Sequence, residues 1–134
     1  MGTSDIAKEL KNLILNNNPP LADRVWFGMP NKIPKNAKTI IVIEPFMNST
    51  YYYTTCPQQT TKDIDFYITI TTKGKDEVAH LNNWDVTDEV ETLLLNTKID
   101  NCIESTIEDI TRGFIGIEEQ SLAASSRITL RCKT

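Results

Sequence analysis

The chain has 134 residues, 40% of them apolar and 24% charged, the composition of one ordinary globular domain rather than a disordered or fibrous chain. Its formal net charge is −4, the wrong sign for a protein whose main task is gripping nucleic-acid phosphates, which takes a surplus of Lys and Arg. Seventeen Thr, sixteen Ile and eleven Asn against five Gly mark a β-leaning chain with polar loops, because branched side chains fit a pleated surface.

In chain order, Ser4 can cap a first helix over 5–15, with Asp5 and Glu9 near its positive end and Ile6, Leu10, Leu13 and Ile14 at helical spacing. Three asparagines followed by Pro19 and Pro20 stop it. Val25, Trp26 and Phe27 predict a short strand before Gly28. Pro30 and Pro34 keep the next stretch irregular until Thr39, from which Ile40, Ile41, Val42 and Ile43 form a run apolar on both faces, the pattern of a strand inside a sheet.

From Pro45 to Thr61 there is no clear period. A connection of that length in a compact domain is usually functional or mobile, because a purely structural one would be shorter. Phe46 opens it, and Tyr51, Tyr52 and Tyr53 sit in its middle. Three readings fit the tyrosines: an interface patch, a stacking platform for bases or sugars, or the arm of a hairpin.

Ile64, Phe66, Ile68 and Ile70 then alternate with Asp65, Tyr67, Thr69 and Thr71, predicting a strand with one buried and one wet face. Lys73, Gly74 and Lys75 turn the chain. Asp85 can cap a second helix, with Asp88 and Glu89 in its first turn and Val86, Val90, Leu93 and Leu94 as its stripe. Within 99–118 the residues Ile103, Ile107 and Ile110 suit a helix, whereas Phe114, Ile115 and Ile117 beside two glycines suit a strand, and strand is the expectation. Ile128, Leu130 and Cys132 alternate with Arg127, Thr129 and Arg131, predicting a last strand with a basic outer face. These elements make an α+β fold: a mostly antiparallel sheet with two main helices on one face.

The charge is unevenly placed. Residues 1–67 hold seven bases and six acids, 68–134 seven bases and twelve acids, and 85–119 hold ten acids against Lys98 and Arg112, a local −8. Such a segment is either a solvated face or a field with a purpose. Cys56, Cys102 and Cys132 are odd in number and far apart without a C-x-x-C pair, implying neither a disulfide framework nor a zinc knuckle. A reducing cytosol is expected. The longest apolar run, 40–43, is too short for a bilayer span, and the first residues lack a signal-type apolar region, so a soluble intracellular protein with no membrane partner is expected.

Signatures of chemistry are missing. The chain has no phosphate-cradling or dinucleotide glycine loop, no nucleophile elbow and no H-E-x-x-H. His80 is the only histidine, and nothing orders a cysteine around it for nucleophilic work. Asp63 and Asp65 share a strand face and offer only an unspecific cation site. No catalytic residue, resident metal or cofactor is expected.

The order of pieces resembles the tail-terminator proteins of long-tailed bacteriophages, also called tail-completion or tail-to-head joining proteins. The resemblance is carried by segments 5–15, 25–43 with Met29, Pro30 and Pro34 in the middle, 64–71, 85–95, and the Arg-x-Thr-x-Arg strand 127–132. It implies a non-enzymatic structural virion protein at the head–tail junction, assembled in the host cytoplasm. As a homohexameric ring it would cap the tail tube, meeting the tail tube protein on one side and the head connector or stopper protein on the other. Under this resemblance 45–62 would be an assembly arm, and Phe46, Tyr51, Tyr52, Tyr53, Arg127 and Arg131 would belong to the assembly interface. Glu104, Glu108, Asp109, Glu118 and Glu119 would face the lumen, so that DNA passes without specific binding. Two other readings stay open: a small carbohydrate- or protein-binding module using the tyrosines, and a small hydrolase using His80.

Overall fold

The computed structural model describes residues 3–28, 37–55, 58–74, 76–100, 102–118 and 121–134, with side chains described for all of these except 47–55, 58–62, 113–118 and 121–123. The order is α1 (Thr3–Asn16), β1 (Arg24–Phe27), β2 (Thr39–Thr55), β3 (Gln58–Lys73), α2 (Glu77–Asn96), β4 (Glu104–Glu118) and β5 (Ser121–Lys133). The five strands form one sheet in the order β1-β2-β3-β5-β4. Only β1 and β2 run parallel; the other three pairings are antiparallel. Helix α1 packs on β1 and β2, and α2 on β3, β5 and β4. The expected α+β architecture is the observed one. No helix among the described residues is long and apolar enough to cross a membrane.

The core follows from the period of two. In β3 the residues Ile64, Phe66, Ile68 and Ile70 are all fully buried under the helices, beside Ile41 and Ile43 of β2 and Ile128, Leu130 and Cys132 of β5. Helix α1 adds Ile6, Leu10 and Ile14 from one stripe, and α2 adds Val90 and Leu94. Removing this much apolar surface from water is the main stabilising term. Asp23 then fastens β1 to the start of β2: its carboxylate accepts from the backbone N–H groups of Lys38 and Thr39 at 2.7 and 3.0 Å. Those two bonds hold its carboxyl below the ordinary range.

Three expectations change. Helix α1 starts at Thr3, so Ser4 lies within the first turn rather than at the cap. Helix α2 starts at Glu77, eight residues before Asp85: its cap is Asp76, whose side chain accepts from the Ala79 N–H at 2.9 Å. The early turns escape an apolar pattern because two of the buried positions, Asn83 and Thr87, are polar. Segment 45–61 shows no period in sequence, yet its residues 45–55 and 58–61 are the far half of a long β2–β3 pair. The strand expectation for 99–118 holds over β4.

The turn after β3 needs its glycine. Gly74 has φ +109°, and a Cβ there would stand 3.2 Å from the Ala79 Cβ. Its carbonyl accepts from the Ala124 N–H at 3.0 Å, joining the turn to β5.

Candidate assembly surface

The helices cover one face of the sheet; the other face carries the polar residues of β3 and β5. Because side chains alternate along a strand, Asp65, Tyr67 and Thr69 of β3 stand there beside Arg131, Thr129 and Arg127 of β5, their register partners. Two linked clusters result. In the first, Phe46 and Tyr67 stack with centroids 3.9 Å apart and planes within 6°, and the Arg127 guanidinium lies 4.5 Å from the Tyr67 ring centre. Arg127 also donates to the Thr69 hydroxyl at 3.3 Å. A ring stack and a cation on the same ring each contribute about 0.5–1 kcal/mol at a wet site.

In the second cluster Arg131 donates to both carboxylate oxygens of Asp65, at 2.9 and 3.2 Å, and meets Glu108 at 2.6 Å. Asp65 is 3% exposed, so its charge depends on this fork. The hydrogen bond to Asp65, followed by the charges of Asp65, Glu108 and Asp63, raises the Arg131 pKa above its ordinary value. Asp63 has one enclosed carboxylate oxygen with no hydrogen-bond partner among the described residues. Asp65 is thus engaged by an arginine rather than paired with Asp63 around a cation.

This pairing has a measurable consequence. Arg131→Met leaves Asp65 buried without its cation and is expected to lower the melting temperature, and adding Asp65→Asn is expected to recover part of that loss. Losses of the two single variants that simply add in the double variant would refute the coupling.

Of the residues expected at an interface, Phe46, Arg127 and Arg131 therefore share one face. Tyr51, Tyr52 and Tyr53 lie in β2 farther along the same hairpin, and their side chains are outside those described. Among the acids, Glu104, Glu108 and Asp109 are exposed on β4. The side chain of Glu118 and the whole of Glu119 lie outside the described residues, as do Met29, Pro30, Pro34 and Cys56. The remaining acids of the −8 segment include Asp85, Asp88 and Glu89, exposed on α2. Arg112 of β4 bridges Asp88 at 2.7 Å and Glu91 at 3.2 Å. The acidic segment thus occupies two elements that meet along β4, an outermost strand of the sheet, and two of its charges are offset by Arg112 and one by Arg131.

Reading the sequence alone missed Tyr67 and Asp65 as members of this surface. The available signal was their i, i+2 spacing on the helix-free face of β3; that face, expected to be wet, buries Asp65, Thr69 and Thr71, and the partners came only with the strand register.

Both ends of the sheet order are open among the described residues, and they differ in character. On β4 the acids and two register shifts, at 107/109 and 111/114, are the usual devices that discourage edge pairing. The other open edge belongs to the hairpin. Strand β1 stops at the Phe27–Ile43 pair and β5 at the Lys133–Asp63 pair, so 44–49 form an open edge beside β3, and 50–55 and 58–62 pair only with each other among the described residues and form a free two-stranded ribbon. At about 3.3 Å per residue the ribbon runs roughly 16 Å past the last β5 pair. Its 45–61 stretch contains no charged residue at all.

Compared with known proteins, the chain matches no family model, and no curated protein matches it in sequence.

Proposed function

We propose that this chain is a tail-terminator protein of a long-tailed bacteriophage, one subunit of a homohexameric ring that caps the tail tube, ends its polymerisation and offers the docking surface for the head connector or stopper. The observation that carries this reading is the hairpin stretch 45–61, which contains no charged residue and whose strands 50–55 and 58–62 extend as a free two-stranded ribbon beyond the rest of the sheet. An isolated two-stranded ribbon is marginal in water, and an uncharged open edge invites another chain. Its stable form is therefore in an assembly. A contact between two different patches, repeated with a closing rotation, makes a ring, and here one patch is the ribbon with the Phe46–Tyr67–Arg127 stack at its root.

The second edge has the complementary task. The acids along β4 and the neighbouring side of α2 repel phosphates, so a ring that turns this edge inward lets the genome pass without holding it. Such a protein does no chemistry; it works by geometry. Electron microscopy of particles assembled without this protein tests the reading directly. Tail tubes of irregular, excessive length or tails unattached to heads are expected, and normal virions would end the proposal.

A further inference from the structure

Cys102 and Cys132 are both free thiols, 4% and 0% exposed, in the same core cluster. Cys102 lies in the link between α2 and β4, and Cys132 is the penultimate residue of β5, paired in register with Ile64 and Ser105. Their immediate neighbours are tied together, since the Ile103 N–H donates to the Lys133 carbonyl at 2.6 Å. The Cys102 N–H is itself fixed to the Ile99 carbonyl at 3.0 Å. The two side chains are in hydrogen-bond contact with each other. The two thiols thus share one core cluster, on backbones tied together at the neighbouring residues, which is the setting in which a disulfide closes without a large rearrangement.

We propose that Cys102 and Cys132 are a modification site, a dithiol that a disulfide-class oxidant such as oxidised glutathione closes into a staple between the α2–β4 link and the last strand. The Cys102 thiolate attacks one sulfur of the oxidant, forming a mixed disulfide and expelling one glutathione thiolate. Cys132 gives up its proton and attacks the Cys102 sulfur, expelling the second glutathione. Two protein thiols are oxidised, one glutathione disulfide is reduced to two thiols, and the two protons end on the departing glutathiones.

The order of attack follows from the surroundings. Cys102 is the more exposed of the two, and the hydrogen bond from Cys132 lowers its pKa, favouring the thiolate that reacts. Cys132 is pushed up, first by its hydrogen bond to Cys102 and then by burial, so it stays protonated until Cys102 has been consumed. Cys56 is the third cysteine and serves as the internal reference.

The full-length protein, folded and incubated with oxidised glutathione, is expected to lose about 2 Da, the two hydrogens of the closed pair. Proteolytic fragments should then be linked through Cys102 and Cys132, with Cys56 still open to alkylation. The melting temperature should rise by about 5–10 °C, because the bond closes the loop from 102 to 132 in the unfolded chain, and dithiothreitol should reverse the rise. Cys56→Ser should leave both effects intact, whereas Cys102→Ser should abolish both. A glutathione adduct on Cys102 that never resolves, a link through Cys56, or no reaction in the folded protein would each overturn the proposal.

Discussion

Asn83→Ala is expected to lower the unfolding free energy by about 3 kcal/mol and the melting temperature by roughly 10 °C. Asn83 is fully buried on the sheet-facing side of α2. Its amide donates to the carbonyls of Ile70 and Ala124 at 2.9 and 3.1 Å and to the Thr72 hydroxyl at 3.3 Å. Its side-chain oxygen accepts from the Ser126 hydroxyl at 2.6 Å. One side chain thus joins the helix to β3 and β5 at once. Truncation removes four bonds, strands the Ser126 hydroxyl in the core and leaves a cavity where water is excluded.

Each hydrogen bond is worth only about 1 kcal/mol net, because the unfolded amide bonds water equally well. The larger part of the loss comes from the partners left buried and unpaired. Asn82→Ala, one residue away on the exposed side of the same helix, is the control and should stay within about 0.5 kcal/mol of the parent. Chemical denaturation of the two variants separates the outcomes: equal stabilities would mean that the Asn83 network contributes nothing beyond helix propensity.

Shortening the ribbon is expected to have the largest effect on assembly and a small one on the fold. Thr50 and Lys62 are register partners, so an Asn-Gly pair in place of 51–61 closes the hairpin with a two-residue turn that matches the strand twist. The deleted part pairs only with itself among the described residues, and the core of Ile41, Ile43, Ile64 and Phe66 lies on the kept side. The variant should therefore melt within a few degrees of the parent. Under the proposed function it should also fail to form rings and fail to restore tail termination to particles lacking the protein. A milder variant, Thr50→Lys with Thr54→Lys, puts charge on the uncharged edge and should weaken assembly without touching the core. Rings formed normally by both variants, seen by sizing chromatography and electron microscopy, would remove the ribbon from the assembly surface.

The parts of this fold that were legible in the sequence are those in which burial and period coincide. The alternation from Ile64 to Ile70, the doubly apolar run of Ile40, Ile41, Val42 and Ile43, and the stripe of Ile6, Leu10 and Ile14 each mark an element and its buried face. Where burial and hydropathy part company, reading fails. Helix α2 buries Asn83 and Thr87, so its early turns carry no apolar stripe, and the period points to a start at Asp85 instead of beside Asp76. The hairpin beyond Pro45 is held by strand-to-strand backbone bonds, which any sequence of Thr, Tyr, Asn and Gln can make, and it shows no period.

The candidate surface divides the same way. The sequence by itself determined its chemical inventory: Arg127 and Arg131 on one strand face, the aromatic Phe46, and the acids concentrated in 85–119. Only the tertiary structure decided the pairings that give those residues their roles. Strand register set Arg131 on Asp65 and Arg127 over Tyr67, and the placement of α2 brought Asp88 and Glu91 to Arg112. The physical reason is one of range. Side-chain period is a local property of a few consecutive residues, whereas an ion pair or a ring stack between residues 60 positions apart depends on how strands align across the sheet.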